Sequence, residues 1–465
     1  MPSLLIAAAV LAYSAIRSGK WGAIDASVAG ILVVCAASLQ WSKRPSAFSV
    51  PRAPGWIRWP LCALAGYAAF QLVPLPVRIL GVISPGREGM VRAANVVLSR
   101  PVSFASLSLA PSAGLQAVIV IVTCIVVVFL IRELAWDHGA WKLIAPVIAV
   151  AAAEALLSLV QSYFLGPGEA RGSWANRNHF ANYQAMCLPF PVALAVSRWQ
   201  KGAPGRTGAR WILLVWLASC VAVVLLIAIT QSLSRMGFTV ALLSLLVFAA
   251  LLVSGKSSQW RSSIHSRILA AASGLLIVAL AAVVIAPPEL VLRFGKVEFS
   301  DGISTEDRLL LWNESLALIS AYPAFGTGLG GYESAFLKYK VTFPLVRDAY
   351  AHNDYLQYLI ELGAAGFSIA VISAAAILFE SIKLFRRSRG EERAIGAACC
   401  GAFAAILLHS TVDFSLYNPA NALLLAWIVG VACSLGLRHI AAEVIMTGRG
   451  HARLLHQEYA AARRS

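Results

Sequence analysis

Apolar residues in this chain come in long blocks. Mainly apolar runs cover roughly 3–16, 22–41, 56–74, 115–131, 141–163, 180–197, 211–229, 236–253, 268–286, 357–379, 394–410 and 420–437. A helix that crosses hydrocarbon needs about 20 such residues. The pattern therefore predicts an all-α polytopic membrane protein with about twelve transmembrane helices, the first of them short. The run at 3–16 lacks a basic leader and a small-residue cleavage site, so it is read as a helix and not as a signal peptide. Polar positions gather in two long loops, 75–114 and 287–356, and in short connections at 164–179, 230–235 and 411–419. The expected organisation is nine helices over 1–286, the large loop 287–356, three more helices over 357–437, and a basic tail over 438–465.

Composition agrees with the pattern and removes its competitors. Of 465 residues, 59% are hydrophobic and only 13% charged, about half the charged share of a soluble globular chain. So little polar surface cannot cover a water-soluble fold, and it also excludes disorder and a disulfide-stapled module. The eight cysteines all lie in or at the ends of apolar runs, which leaves no loop pair for a disulfide or a zinc site. The net charge of +16 would suggest nucleic acid if a soluble domain carried it, but none is available. With twelve crossings both termini share a side. If that side is the cytoplasm, the inner segments hold 23 of the 38 Lys and Arg with seven acids, and the outer segments hold the other 15 with fourteen. The basic excess then follows the positive-inside rule and faces anionic membrane lipids.

That orientation puts both long loops outside, together with most of the chemistry-bearing residues. Ser234-Arg235 lies between two apolar runs, and Arg308 follows Thr305-Glu306-Asp307 at the start of an apolar stretch. Thr305 is expected to cap a short helix with Arg308 one turn inside. Each arginine has an ordinary reading, snorkelling for Arg235 and a surface ion pair for Arg308. Together at one mouth of a bundle, they suit a phosphate gripped by two parallel hydrogen bonds. Gly326-Thr327-Gly328-Leu329-Gly330-Gly331 could bring backbone N–H groups close to an anion, or be a plain turn. His352 stands in Tyr350-Ala351-His352-Asn353-Asp354-Tyr355, where the largest loop re-enters the membrane. Histidine exchanges protons near neutrality, and no second His or Cys at i+3 or i+4 suggests zinc there. The amide-rich Asn176-Arg177-Asn178-His179 suits sugar hydroxyls or a headgroup, and His409 to Asp413 could hold helix ends together. Glu154, alone within a span, is a functional candidate because a carboxylate is costly there, unless a neighbouring helix caps it.

Gln71 to Pro76, Asn176 and Asn178, Ser234-Arg235, Arg308, the Pro323–Gly330 turn, Ala351 to Leu356, Glu361 and Gly363 resemble the O-antigen ligase and Wzy-type polymerase superfamily. The resemblance is densest from Asn176 to Asp413, and the His-Asn-x-Tyr-Leu segment is its most specific part. It implies a bacterial inner-membrane enzyme with both termini cytoplasmic and a periplasmic active site. It also implies a donor of undecaprenyl-diphosphate-linked glycan, an acceptor that is lipid A-core or another glycan, and no cofactor or metal. Arg235 and Arg308 match the arginines expected on the diphosphate, and His352 matches the residue expected to act on the acceptor hydroxyl. Asn176, Asn178, His179, Asn353, Tyr355, Glu361 and Asp413 are expected to support sugar or headgroup binding. The diphosphate charge develops as the glycosidic bond breaks, and two arginines can stabilise it in a water-poor pocket. A polymerase extending O-antigen or exopolysaccharide chains is the alternative within this group. A multi-pass transporter would instead place ionisable residues at mid-membrane, where only Glu154 stands clearly.

This topology predicts that reporter fusions after Ser465 and within 287–356 lie on opposite sides of the membrane. The same compartment for both would overturn every outer-side assignment.

Overall fold

The computed structural model describes residues 1–42, 50–99, 101–166, 168–201, 209–254, 287–295, 305–342, 347–437 and 440. The predicted span 268–286 and nearly all of the basic tail lie outside them. The described chain is a helical bundle. In order, its helices are α1 (Pro2–Arg17), α2 (Ala23–Trp41), α3 (Gly55–Phe70), α4 (Val77–Ile83), α5 (Pro85–Val97), α6 (Pro111–His138), α7 (Ala140–Val160), α8 (Arg177–Cys187) and α9 (Pro189–Lys201). There follow α10 (Ala209–Gln231), α11 (Arg235–Val253), α12 (Pro288–Gly295), α13 (Thr305–Ala321), α14 (Tyr332–Phe336), α15 (Asp354–Arg387), α16 (Gly390–His409) and α17 (Pro419–Ala432). The sheet among the described residues is one two-residue ladder, β1 (Leu75–Pro76) with β2 (Phe104–Ala105), antiparallel with Leu75 opposite Ala105.

Seven helical stretches among the described residues are long and apolar enough to cross a membrane: α2, α6, α7 with the π-turn that continues it to Leu165, α10 from Ile212, α11, α15 and α16. Helices α1 and α17 are apolar but shorter. The predicted single span at 180–197 comprises α8 and α9, which meet at Leu188, where the backbone stays helical while Pro189 and Pro191 remove N–H donors from the ladder. Proline lacks an N–H and clashes with the preceding turn, so the helical hydrogen bonding is interrupted there. The long outer loops are not extended chain either. The one at 75–114 carries α4, α5 and the ladder, and the one at 287–356 carries α12, α13 and α14. Thr305 is the first helical residue of α13 and not its cap.

Buried apolar side chains from α1, α2, α6, α7, α8, α11, α16 and α17 form the main core. Helix α11 lies along α16, and α6 along α17. Gly237 permits close approach near the start of α11, since a Cβ there would stand 2.3 Å from the Ala181 Cβ. A second cluster joins Leu311 and Leu318 of α13 to Tyr322, Tyr332, Phe336, Ala351 and Ile360. It seats the large loop on the bundle.

Helix α15 is interrupted at Gly363, whose φ of 65° is left-handed. The segment 323–332 fills the break. Ala364 and Ala365 N–H donate to Pro323 and Ala324 O at 2.8 and 3.0 Å, while Thr327 and Gly328 N–H donate to Ile360 and Glu361 O at 3.0 and 2.9 Å. Gln71 Nε2 donates to Phe325 and Glu361 O at 2.8 and 2.9 Å, and Tyr67 O–H donates to Leu362 O at 2.6 Å. Backbone groups freed inside a membrane helix must find such partners, because lipid offers none. A side chain at Gly363 would put its Cβ 2.4 Å from Gly326 N. Gly363→Ala should therefore destabilise the protein by at least the roughly 1–3 kcal/mol that a strained left-handed residue costs. Thermal unfolding in detergent would show it, and a midpoint equal to wild type would refute the constraint.

Candidate functional site

One short turn, 410–417, gathers most of the outer-loop chemistry. It follows α16 and leads through a 3-10 turn, Ser415–Tyr417, to Asn418, the N-cap of α17. Asp413 is buried in it, with its Oδ1 3.6 Å from His352 Nδ1 and 3.8 Å from His179 Nε2. Burial alone would raise the Asp413 carboxyl. The two histidines facing it, with His409 nearby, hold it well below the usual carboxylate range. Phe414 stands edge-on to both imidazoles, with centroids 4.6 Å from His179 and 5.0 Å from His352. Tyr350 stacks on the same phenyl ring at 3.9 Å. His409 Nδ1 is 2.8 Å from Ser415 Oγ. Arg308 is buried on α13, and its Nη1 donates to Val412 O at 2.6 Å. Arg308, His352, His179 and Asp413 are thereby brought together from widely separated stretches of sequence.

The local backbone explains how His352 is presented. It has φ 49°, a left-handed value that costs an L-residue roughly 1–2 kcal/mol. Its neighbours impose that conformation. Ala351 N–H donates to Gln357 Oε1 at 3.0 Å, and Ala351 O accepts from Trp312 Nε1 at 2.8 Å. Asn353 caps α15 by accepting from Leu356 N–H at 3.1 Å, and Asp354 N–H donates to Ser410 O and Asp413 O at 2.9 and 3.1 Å. Asp354 Oδ2 also accepts from Ser410 Oγ and Leu416 N–H. The imidazole is thus held between two helix ends with its side chain 16% exposed. Leu233, one residue before the cap of α11, is the other non-glycine residue with positive φ among the described residues. Ser234 accepts from Gly237 N–H at 3.1 Å, and Arg235 begins the helix, half-buried. Gly237, two residues into α11, packs on Ala181 of α8, the helix that carries His179.

The remaining predicted residues have local duties. Asn176 is the N-cap of α8, accepting from Asn178 N–H at 2.7 Å. Tyr355 O–H donates to Leu407 O at 2.7 Å, which ties α15 to α16. Glu361 is fully buried, and its carboxylate receives Gly330 N–H at 2.7 Å, Tyr332 N–H at 3.2 Å, Tyr417 O–H at 2.6 Å and Gln357 Nε2 at 3.3 Å. The anion that the glycine turn binds is therefore this side chain. Glu154 accepts from Ser173 N–H and Oγ at 3.1 and 2.8 Å, so among the described residues its cap comes from a loop. Among the described residues no group of three or more His, Cys, Asp and Glu is arranged to hold a metal ion.

Sequence reasoning missed Phe414 and Tyr417, which wall the site with Tyr350, and the buried polar side chains Asn182, Gln184 and Asn421 beneath His179. The last are joined to the site where Asn421 Nδ2 donates to His179 O at 3.4 Å. A signal existed, since Asn182 and Gln184 are polar interruptions within an apolar run.

The depressed Asp413 pKa has a definite pH consequence. A carboxyl held below its unfolded value of about 3.9 stabilises the fold fully above that pH, and the contribution is lost as pH falls through the folded value. Asp413→Asn should cost on the order of 1–3 kcal/mol at pH 7. The gap to wild type in thermal unfolding should narrow below about pH 4. A gap independent of pH would mean that the charge is not what stabilises the turn.

No curated protein matches the chain. Residues 220–371 match the O-antigen ligase family model, a stretch that contains Arg235, Arg308, His352 and Glu361 but not His179 or Asp413. The geometry draws the matched and unmatched parts into one centre, and over this stretch, about a third of the chain, the protein is similar to the O-antigen ligase family, which supports glycan transfer of the ligase or polymerase kind.

Proposed function

We propose that this protein transfers a glycan from undecaprenyl diphosphate to an acceptor hydroxyl at the periplasmic face of the bacterial inner membrane, with lipid A-core as the acceptor. The observation that carries this reading is the meeting of Arg308 and His352 at the 412–413 turn. A cation for the leaving group and a base for the nucleophile meet neighbouring residues of one short peptide segment.

In this mechanism the Asp413 carboxylate, 3.6 Å from His352 Nδ1, favours the tautomer that keeps its proton on Nδ1, which leaves Nε2 with a lone pair for the acceptor. As the acceptor oxygen bonds to the anomeric carbon, its proton passes to Nε2. The bond from that carbon to the diphosphate breaks, and its electron pair leaves with the diphosphate oxygen. Arg308 and Arg235 stabilise the growing negative charge, more strongly in a dry site than in water. Attack opposite the leaving group inverts the anomeric centre. Phe414 fits this role as an apolar ring against both imidazoles, backed by the stacked Tyr350, that limits water.

Purified protein incubated with undecaprenyl-diphosphate glycan, with and without lipid A-core, tests the reading. Product on lipid A-core supports a ligase; a longer lipid-linked chain without it makes the protein a polymerase. His352→Ala should slow transfer about 10²–10⁴-fold while leaving donor binding nearly intact. Arg308→Lys keeps the charge but loses the planar grip, so donor binding should weaken by about 1.5–3 kcal/mol. Transfer within a few-fold of wild type in His352→Ala, at equal protein level, would remove the base from the mechanism.

A further inference from the structure

The end of α1, the π-turn Gln161–Leu165 and the loop leading to α8 enclose a cavity of about 950 Å³. It lies beside the Asp413 centre and shares none of its groups. Ser173 Oγ joins its walls by donating to Ala15 O at 2.9 Å, and Glu154 pins the same serine from behind. Asn418 Nδ2, just beyond the 410–417 turn, donates to Ser18 O at 3.5 Å, so the cavity opens at the same end of the bundle as His352.

Its charge is unbalanced. Arg17 is taken by Asp25, with Nε 2.8 Å from Oδ1, and Glu169 is taken by the buried Arg177. Lys20 and Arg171 remain, both exposed, lining the cavity and without an ion-pair partner among the described residues. Gln161 and Ser162 add neutral donors and acceptors to the lining. Trp174 lines it too, and its Nε1 is buried with no hydrogen-bond partner. Two cations at the surface, with only the buried Glu154 carboxyl behind Ser173 beside them, combine with amide, hydroxyl and indole groups to match an anionic saccharide, and the volume accommodates one of a few sugar units. Ile16, Phe164 and Leu165 are exposed apolar residues at or next to the same walls, placed to meet the lipid part of an amphiphile.

We propose that this cavity, through Lys20 and Arg171, binds the anionic saccharide headgroup of the glycolipid acceptor. The proposal rests on the transfer reading above and names the acceptor class it implies. The acceptor would be held by its charged sugar at this cavity while a neighbouring hydroxyl reaches His352.

Trehalose 6-phosphate and trehalose, titrated against the full chain in detergent and followed by saturation-transfer NMR, provide the test. The phosphorylated sugar should bind at least about ten-fold more tightly. Lys20→Gln with Arg171→Gln should abolish that difference, Lys20→Arg with Arg171→Lys should retain it, and His352→Ala should leave it unchanged. Equal binding of the two sugars, or a preference that survives the double glutamine variant at an unchanged unfolding midpoint, overturns the proposal. Displacement by phosphatidylglycerol micelles as effective as by trehalose 6-phosphate also overturns it, by making the cavity a lipid-headgroup site. The two readings fail separately. Phosphate-dependent binding in a protein that transfers no glycan leaves the cavity standing and removes the transferase, whereas transfer without phosphate-dependent binding removes only the cavity.

Discussion

The buried carboxylate of Asp413 organises the end of the bundle where the 410–417 turn lies. Asp413 lies within 4 Å of one nitrogen from each of two histidines, and these arrive from α8 and from the loop before α15. Burying a carboxylate is expensive unless it is paired. The fold meets that cost by bringing in two imidazoles and by fixing the peptide on either side, where Val412 O accepts from Arg308 and Asp413 O accepts from Asp354 N–H. The pairing that makes the charge tolerable also sets the geometry of the centre.

A second buried carboxylate, Glu361, does comparable work one turn deeper. It ties the 330–332 backbone, Tyr417 and Gln357 to one point on α15. Tyr417 belongs to the 410–417 turn, so the two carboxylates are linked through it. This end of the bundle thus has two carboxyl nodes, with Asp354 tied to the first through Ser410 and Leu416. One presents histidines towards the partly open surface, and the other closes the helix break beneath them. The polar groups of the large loop are largely spent in these nodes and in the ties from Tyr67 and Gln71.

Much of this was legible in the sequence, for identifiable reasons. Uninterrupted apolar runs such as 115–131 and 236–253 mark helices because only a helix satisfies its own backbone in lipid. Ser234, Asn353 and Asn418 cap the helices that follow them, as their side-chain oxygens allow. The junction at Leu188 was overlooked because hydropathy averages over prolines. The role of Glu361 and the convergence of His179 with His352 were not readable, because both depend on tertiary contacts between distant segments. His352 was recognised from its motif, yet its left-handed backbone arises from Trp312, Gln357 and Asn353 acting together.

The interruption of α15 at Gly363 has a consequence for biogenesis. The helix enters the bilayer with its hydrogen-bond ladder open, and the groups that close the gap belong to 323–332, on the preceding loop. Neither half is complete alone. The loop must be folded before the span can settle, and the span must be in place before the loop has a seat. Folding of 323–332 and completion of this helix are therefore one cooperative event, because a chain held between them would leave bare peptide groups exposed to lipid.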